Sequence, residues 1–195
     1  MDNALSMKQE SEILKDRVNK NLLYIAIFSI VMLFAGLTSA YIVRQADGMW
    51  LRFTLPFYFW ISTGLILASS ATMAFALNSA RNNRLQGIKT GLALTFILGV
   101  GFCFAQIMGW RELYDAGIFF SGKSSNPSGS FLYVITFMHL LHIVSGLLYV
   151  LFIFIKSLNN KYNSSNLTGL KHSSLYWHFL DALWIYLFIF LLFMQ

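Results

Sequence analysis

The stretch LLYIAIFSIVMLFAGLTSAYIV, residues 22–43, decides the fold. It holds no charged residue, and it is bounded by Lys20 on one side and Arg44 on the other. About 20 largely apolar residues are needed to cross roughly 30 Å of hydrocarbon as a helix, so this segment reads as a membrane span. Four more follow. Residues 53–77 are uncharged, and residues 88–110 carry only Lys89 at their edge. Residues 130–155 contain His139 and His142, and residues 174–195 contain His178 and Asp181. Apolar and polar residues do not alternate with a period of two, which argues against an outer-membrane barrel. The expected fold is all-α, a polytopic bundle of five transmembrane helices. It forms one domain over 21–195, preceded by a polar segment over 1–20. That segment mixes Glu10, Glu12, Lys15, Asp16, Arg17 and Lys20. The apolar run behind it is too long for a secretory signal and lacks a cleavage-site flank, so it is expected to be retained.

Composition narrows the function classes. Hydrophobic residues make up 57% of the 195 and charged residues 11%, less than half of the roughly 25% charge usual in soluble domains. So few charges could not cover a soluble fold this apolar. A soluble enzyme, a nucleic-acid-binding domain and a disordered segment are all excluded, despite the net charge of +6. The lone Cys103 excludes a disulfide framework or a cysteine-based cluster within the chain. Two prolines leave room for long unbroken helices.

The basic excess is explained by topology. Lys8, Lys15, Arg17, Lys20, Arg81, Arg84, Lys89, Lys156, Lys161 and Lys171 fall on one side of the membrane. Arg44, Arg52, Arg111 and Lys123 fall on the other, with Asp47, Glu112 and Asp115. By the positive-inside rule the N-terminus is inside, making residues 1–20 cytoplasmic, and the C-terminus is outside. Trp50, Trp110 and Trp177 are expected near the interfaces, where indole rings prefer to sit. The first two connections, of about ten residues each by this reading, make their helices adjacent and antiparallel. The third, SGKSSNPSGS over 121–130, is expected to be an irregular external loop. No internal repeat supports an inverted-repeat transporter.

Small residues let helices approach closely in lipid. Gly64, Ala68, Thr72 and Ala76 recur every fourth residue in the second span, and Gly87, Gly91, Thr95 and Gly99 lead into and along the third. Each series is read as a packing stripe, serving either the bundle itself or an interface with another subunit.

Ionisable groups inside a membrane are costly and mark function. His139 and His142 share a helix face at a spacing of three, and so do His178 and Asp181. At 1.5 Å per residue, His142 lies roughly 18 Å from the outer end of its span and Asp181 roughly 10 Å from the inner end of its own. In a core roughly 30 Å thick these depths nearly coincide. The two pairs are therefore expected to face each other or a common polar pocket. A metal or haem site, a proton relay, and hydrogen bonding between helices all remain open for that cluster.

The motifs around these residues resemble a known family. FMHLLHIVSG over 137–146 is similar to the G-x-H-x-x-H-V-x-x-G helix of haem-copper oxidase subunit III. YWHFLDALW over 176–184 is similar to that family's Y-W-H-F-V-D-x-x-W. MLFAGLTSAY over 32–41 resembles its M-F-F-A-x-L-x-x-A-Y. Leu55 and Pro56 followed by ASSAT over 68–72 resemble its L-P and S-S-x-T, and Leu98, Gly99, Phe102 and Gln106 resemble its L-G-x-x-F-x-x-x-Q. The motifs keep the family's order over nearly the whole chain. Family members often have seven helices, and this chain resembles the short form without the first two.

The resemblance implies an accessory subunit of cytochrome c oxidase without a catalytic centre, cofactor or metal of its own. Haems and copper would belong to the partner subunits I and II. The family's subunit packs on subunit I, holds phospholipid and supports proton uptake and turnover stability while oxygen is reduced to water. Other implied partners are membrane lipids and a larger respiratory supercomplex, and the implied location is a bacterial inner membrane. Lys156 matches a basic residue that resembles a lipid-phosphate ligand, and Lys161 is a second candidate for a headgroup. The chain also departs from the family. Ile30 stands where a buried Glu is common, Lys171 or His172 near a second such Glu, and Gly109 at a third. Subunit III of a quinol oxidase, a homologue associated with nitric oxide reductase, and a stand-alone proton or ion transporter are the alternatives.

Overall fold

A computed structural model describes residues 2–46, 48, 50–51, 53–122, 126–158 and 167–194; within 2–15 only the side chains of Glu10 and Leu14 are described. Five helices account for nearly all of it: α1 (Asp2–Ala46), α2 (Phe57–Arg81), α3 (Leu85–Asp115), α4 (Pro127–Leu158) and α5 (Thr168–Met194). Each is long and apolar enough to cross a membrane, the spanning part of α1 being Asp16–Ala46. The chain is an integral membrane protein, and among the described residues there is no strand.

The helices outrun the apolar segments that announce them, and their ends have local causes. α2 starts at Phe57 rather than 53, because Pro56 holds an extended backbone (ψ 144°) as its N-cap. Pro also disfavours helix in the residue before it. α4 starts at Pro127, three residues inside the expected loop. Proline suits the first helical position, where its missing N–H has no partner to lose. The α2–α3 connection is three residues rather than about ten. Asn83 takes the left-handed conformation (φ 54°) there. The N–H groups of Asn83 and Arg84 donate to the carbonyls of Ala80 and Ser79, which closes the helix in a Schellman turn. α3 ends the same way with Gly117 (φ 80°), its Ile118 N–H donating to the Leu113 carbonyl. α5 begins at Thr168, earlier than expected. That shift carries Trp177 into the helix interior, where it is fully buried rather than interfacial.

α2, α3, α4 and α5 form a ring in which each helix packs on the next and α5 returns to α2. Among the described residues α1 lies outside this ring, against α4 and α5. Its hydrogen bonds to the ring run to α5. Tyr186 Oη donates to Thr38 Oγ1 (3.3 Å), and Tyr41 Oη and Gln45 Nε2 both donate to the Met194 carbonyl (3.3 Å each). Thr168 Oγ1 donates to Asp16 Oδ2 (3.1 Å). Toward α4, α1 contributes Phe34, which is buried against His139 and His142.

Only the later part of the α2 stripe and the earlier part of the α3 stripe meet. A Cβ on Gly91 would stand 2.7 Å from the Ala76 Cβ, so these backbones touch across α2 and α3. The Thr72 and Thr95 hydroxyls are 2.8 Å apart, and Gly87 packs on Ser79. Gly64 and Ala68 are exposed, with nothing within 4 Å of a Cβ at Gly64. The reason is geometric. Steps of four residues overshoot a turn of 3.6, so a stripe drifts about 40° per step around the helix. Gly99 faces α4 and α5, where Leu147 and Trp177 fill the space above it.

Candidate functional site

The sharpest concentration of polar side chains inside the bundle is the seam between α2 and α5. α2 brings Ser62, Thr63, Ser69, Ser70 and Thr72 to an otherwise apolar helix. Hydroxyls are tolerated there because Ser62, Thr63, Ser69 and Thr72 each donate to their own helix backbone, as Thr63 does to the Phe59 carbonyl (2.8 Å) and Ser69 to that of Ile66 (2.8 Å). They keep lone pairs free to accept bonds from the neighbouring helix. Trp184 Nε1 donates to Thr63 Oγ1 (3.0 Å) and Trp177 Nε1 to Ser69 Oγ (3.1 Å). Ser70 Oγ and His178 Nδ1 share a hydrogen bond of 2.7 Å. These rungs occur at α5 spacings of one and six residues, one face of the helix.

Asp181 belongs to this seam. It is 2% exposed, and its Oδ2 lies 3.9 Å from His178 Nδ1. Ser70 neighbours both groups. Neither carboxyl oxygen has a hydrogen-bond partner among the described residues. The His178 side chain is 38% exposed, so the imidazole turns Nδ1 inward and the rest of its ring toward the bundle surface.

The helix-4 pair sits elsewhere. His139 is fully buried in an aromatic box, with ring centroids 6.2 Å from Phe34, 5.9 Å from Phe102 and 5.2 Å from Trp184. Neither of its nitrogens has a hydrogen-bond partner among the described residues. His142 is half-buried, with Nδ1 2.6 Å from the Met138 carbonyl and the ring against Phe34. The midpoint of α5 falls on Asp181 and that of α4 beside His142, so the two pairs share a level along the bundle. Among the described residues no hydrogen bond or ion pair joins them, and the α5 group that His139 meets is the Trp184 indole. Helix spacing fixes which residues share a face, but the rotation of each helix about its axis is set by bulky neighbours. Among the described residues no three His, Cys, Asp or Glu side chains gather to hold a metal ion.

A second polar feature lies at the end of the bundle nearest the start of α5. A cavity of about 420 Å³ opens between α1, α4 and α5. Lys156 and His172 line it with Asp16, Asn19 and Thr168. The Lys156 ammonium stands 4.3 Å from the centre of the Phe152 ring. Lys161 lies outside the described residues.

Sequence reasoning named His178 and Asp181 but missed Ser70, the partner of His178, and Ser69 and Thr63, which accept from Trp177 and Trp184. The signal was present, since six serines and threonines crowd one largely apolar helix. It also placed Gly109 at the position of the family's third carboxylate. Gly109 is packed so closely that a Cβ would stand 2.5 Å from Phe59 Cε1, leaving no room for a larger side chain without movement of the phenyl ring.

Comparison with known proteins places this architecture. The family model described as cytochrome c oxidase subunit III matches residues 18–195. A probable cytochrome c oxidase subunit 3 of Nocardia farcinica is 30% identical over 168 residues, covering 81% of this chain and 79% of its own. A probable cytochrome c oxidase subunit 3 of Mycobacterium tuberculosis is 31% identical over 163 residues, with the same shares covered. The cytochrome c oxidase subunit 3 of Loxodonta africana is 30% identical over 129 residues, which is 66% of this chain but 47% of the elephant protein. With a family match over nearly its whole length and five helices that carry the motifs in order, this chain belongs to the cytochrome c oxidase subunit III family.

Proposed function

We propose that the chain is a non-catalytic accessory subunit of a respiratory haem-copper oxidase. It packs on the catalytic subunit, holds phospholipid and keeps the complex stable during turnover and proton uptake. Membership of the family implies a complex with other oxidase subunits. The observation that carries the non-catalytic reading is how the intramembrane ionisable groups are used. His139 is enclosed by three aromatic rings, and His178 is tied to Ser70 across a helix interface. These are roles in packing and orientation. Haem and copper reside in partner subunits I and II. The Lys156 cavity supports lipid holding, because an ammonium beside a polar opening at the membrane interface suits a phosphate headgroup. The N-terminus lies inside and the C-terminus outside, following the distribution of Lys and Arg. The bacterial relatives match over 79% of their own length, which favours a bacterial inner membrane.

A mild-detergent pull-down tests this reading. Subunits bearing haem and the copper centres should co-purify, and a partner with a dinuclear copper site would identify cytochrome c as the donor rather than quinol. In the assembled complex, Asp181→Ala and His142→Ala should shorten turnover lifetime more than they lower the initial rate of oxygen reduction. An equal loss of initial rate would sink the accessory reading, as would specific ion flux through the purified chain in vesicles.

A further inference from the structure

The end of α3 and the start of α4 carry a cleft that the proposed function does not use. Its deeper part is a slot of about 280 Å³ walled by Trp110, Phe120, Tyr133, Val134, Phe137 and Met138. Its upper part, about 390 Å³, adds Arg111, Tyr114 and Ser121. Trp110, Phe120 and Tyr133 wall both parts, so the two adjoin.

The polar atoms of the shared walls are already engaged. Trp110 Nε1 donates to Thr136 Oγ1 (2.9 Å), and the Tyr133 hydroxyl lies 3.1 Å and 3.0 Å from the carbonyls of Trp110 and Ile118. What remains facing the slot is hydrocarbon and aromatic surface. The upper part is different. Arg111 is exposed, and no carboxylate pairs with it among the described residues. The neighbouring Glu112 instead accepts from the Phe57 N–H (3.4 Å).

The order of these features along the bundle matters. Arg111 stands near the end of α3, and the slot descends α4 from Tyr133 to Met138, about 7.5 Å toward the helix midpoint. The cationic end is outermost and the apolar end points to the membrane centre, which is how a phospholipid lies in its leaflet. An α-helix with side chains is about 10 Å across. A 280 Å³ slot takes an acyl chain more readily than a helix.

We propose that this cleft binds one anionic phospholipid of the leaflet at this end. Its phosphate would lie against Arg111, beside the Tyr114 and Ser121 hydroxyls, and one acyl chain would lie between Trp110 and Phe137. The site is at the opposite end of the bundle from the Lys156 cavity and stands independently of it.

The test uses the assembled complex in mixed micelles containing phosphatidylglycerol with a photoreactive acyl chain, followed by peptide mapping. Label should fall on α3 and α4 peptides that include Trp110, Phe137 or Met138. Arg111→Gln should lower that label about fivefold, the scale of an exposed charge contact, while Arg111→Lys retains most of it. Val134→Trp should block the slot with Arg111 intact. A photoreactive diacylglycerol without phosphate should label weakly and ignore Arg111→Gln. Lys156→Gln should leave this label unchanged. Equal labelling in the wild type, Arg111→Gln and Val134→Trp would overturn the site. So would capture of another subunit, rather than lipid, by a photoreactive side chain placed at Phe137.

Discussion

α1 and α5 are both single, unbroken spans, yet the bundle uses them in opposite ways. The most apolar stretch of α1 is more hydrophobic than that of α5, but only 17% of its residues are buried against 44% in α5. In water the more apolar helix would be the one inside. In lipid that driving force vanishes, because hydrocarbon tails are as apolar as leucine, and close packing and interhelical hydrogen bonds decide instead. α5 carries the groups that bond to other helices, Trp177, His178 and Trp184. α1 turns Ile25, Phe28 and Met32 outward.

The contrast can be broken most severely at Trp184. Trp184→Ala would empty a fully buried site that touches Phe59, Phe102 and His139. It should cost about 3–5 kcal/mol in the unfolding of the solubilised protein. A loss under about 1 kcal/mol would mean that the α5 seam is not where stability lies. Phe34→Ala removes the aromatic anchor of α1 toward α4 and should cost about 3 kcal/mol. Spin labels along α1 should then become more mobile while labels on α5 do not. Ser70→Ala deletes one rung of the seam and should cost about 1 kcal/mol or less, the usual worth of a hydrogen bond between membrane helices. Unfolding in bicelles would resolve it. The smallest effect belongs to Phe28→Ala, 64% exposed, which should stay within about 0.5 kcal/mol. A larger loss confined to the assembled complex would reveal that a partner covers this face.

The same contrast explains what could be read from sequence. Five spans were legible because charge is excluded from hydrocarbon, and that signal needs no partner. Helix ends were less legible, since Pro56, Asn83 and Pro127 act through backbone conformation rather than hydropathy. His178 and Asp181 stood out as ionisable groups in a span. Their link to Ser70 did not, because it depends on how α2 and α5 are rotated about their axes. The two histidines of α4 share a face as their spacing requires. That face meets Phe34 and Trp184 rather than Asp181, a choice made by side-chain bulk that no spacing rule encodes.

The position of α1 outside the ring also has a consequence in time. Its neighbours α4 and α5 begin only at Pro127 and Thr168, so the helix that ends at Ala46 is made long before either helix it packs against. At about 5–20 residues per second, α4 starts to emerge roughly 4–16 s after α1 is complete. During that interval α1 must reside in the membrane without either of the helices it packs on. A span with no charged residue or histidine from Leu22 to Val43 can wait in lipid at little cost. One bearing a histidine and an aspartate, like α5, arrives last, when Ser69 and Ser70 are already in place to receive it.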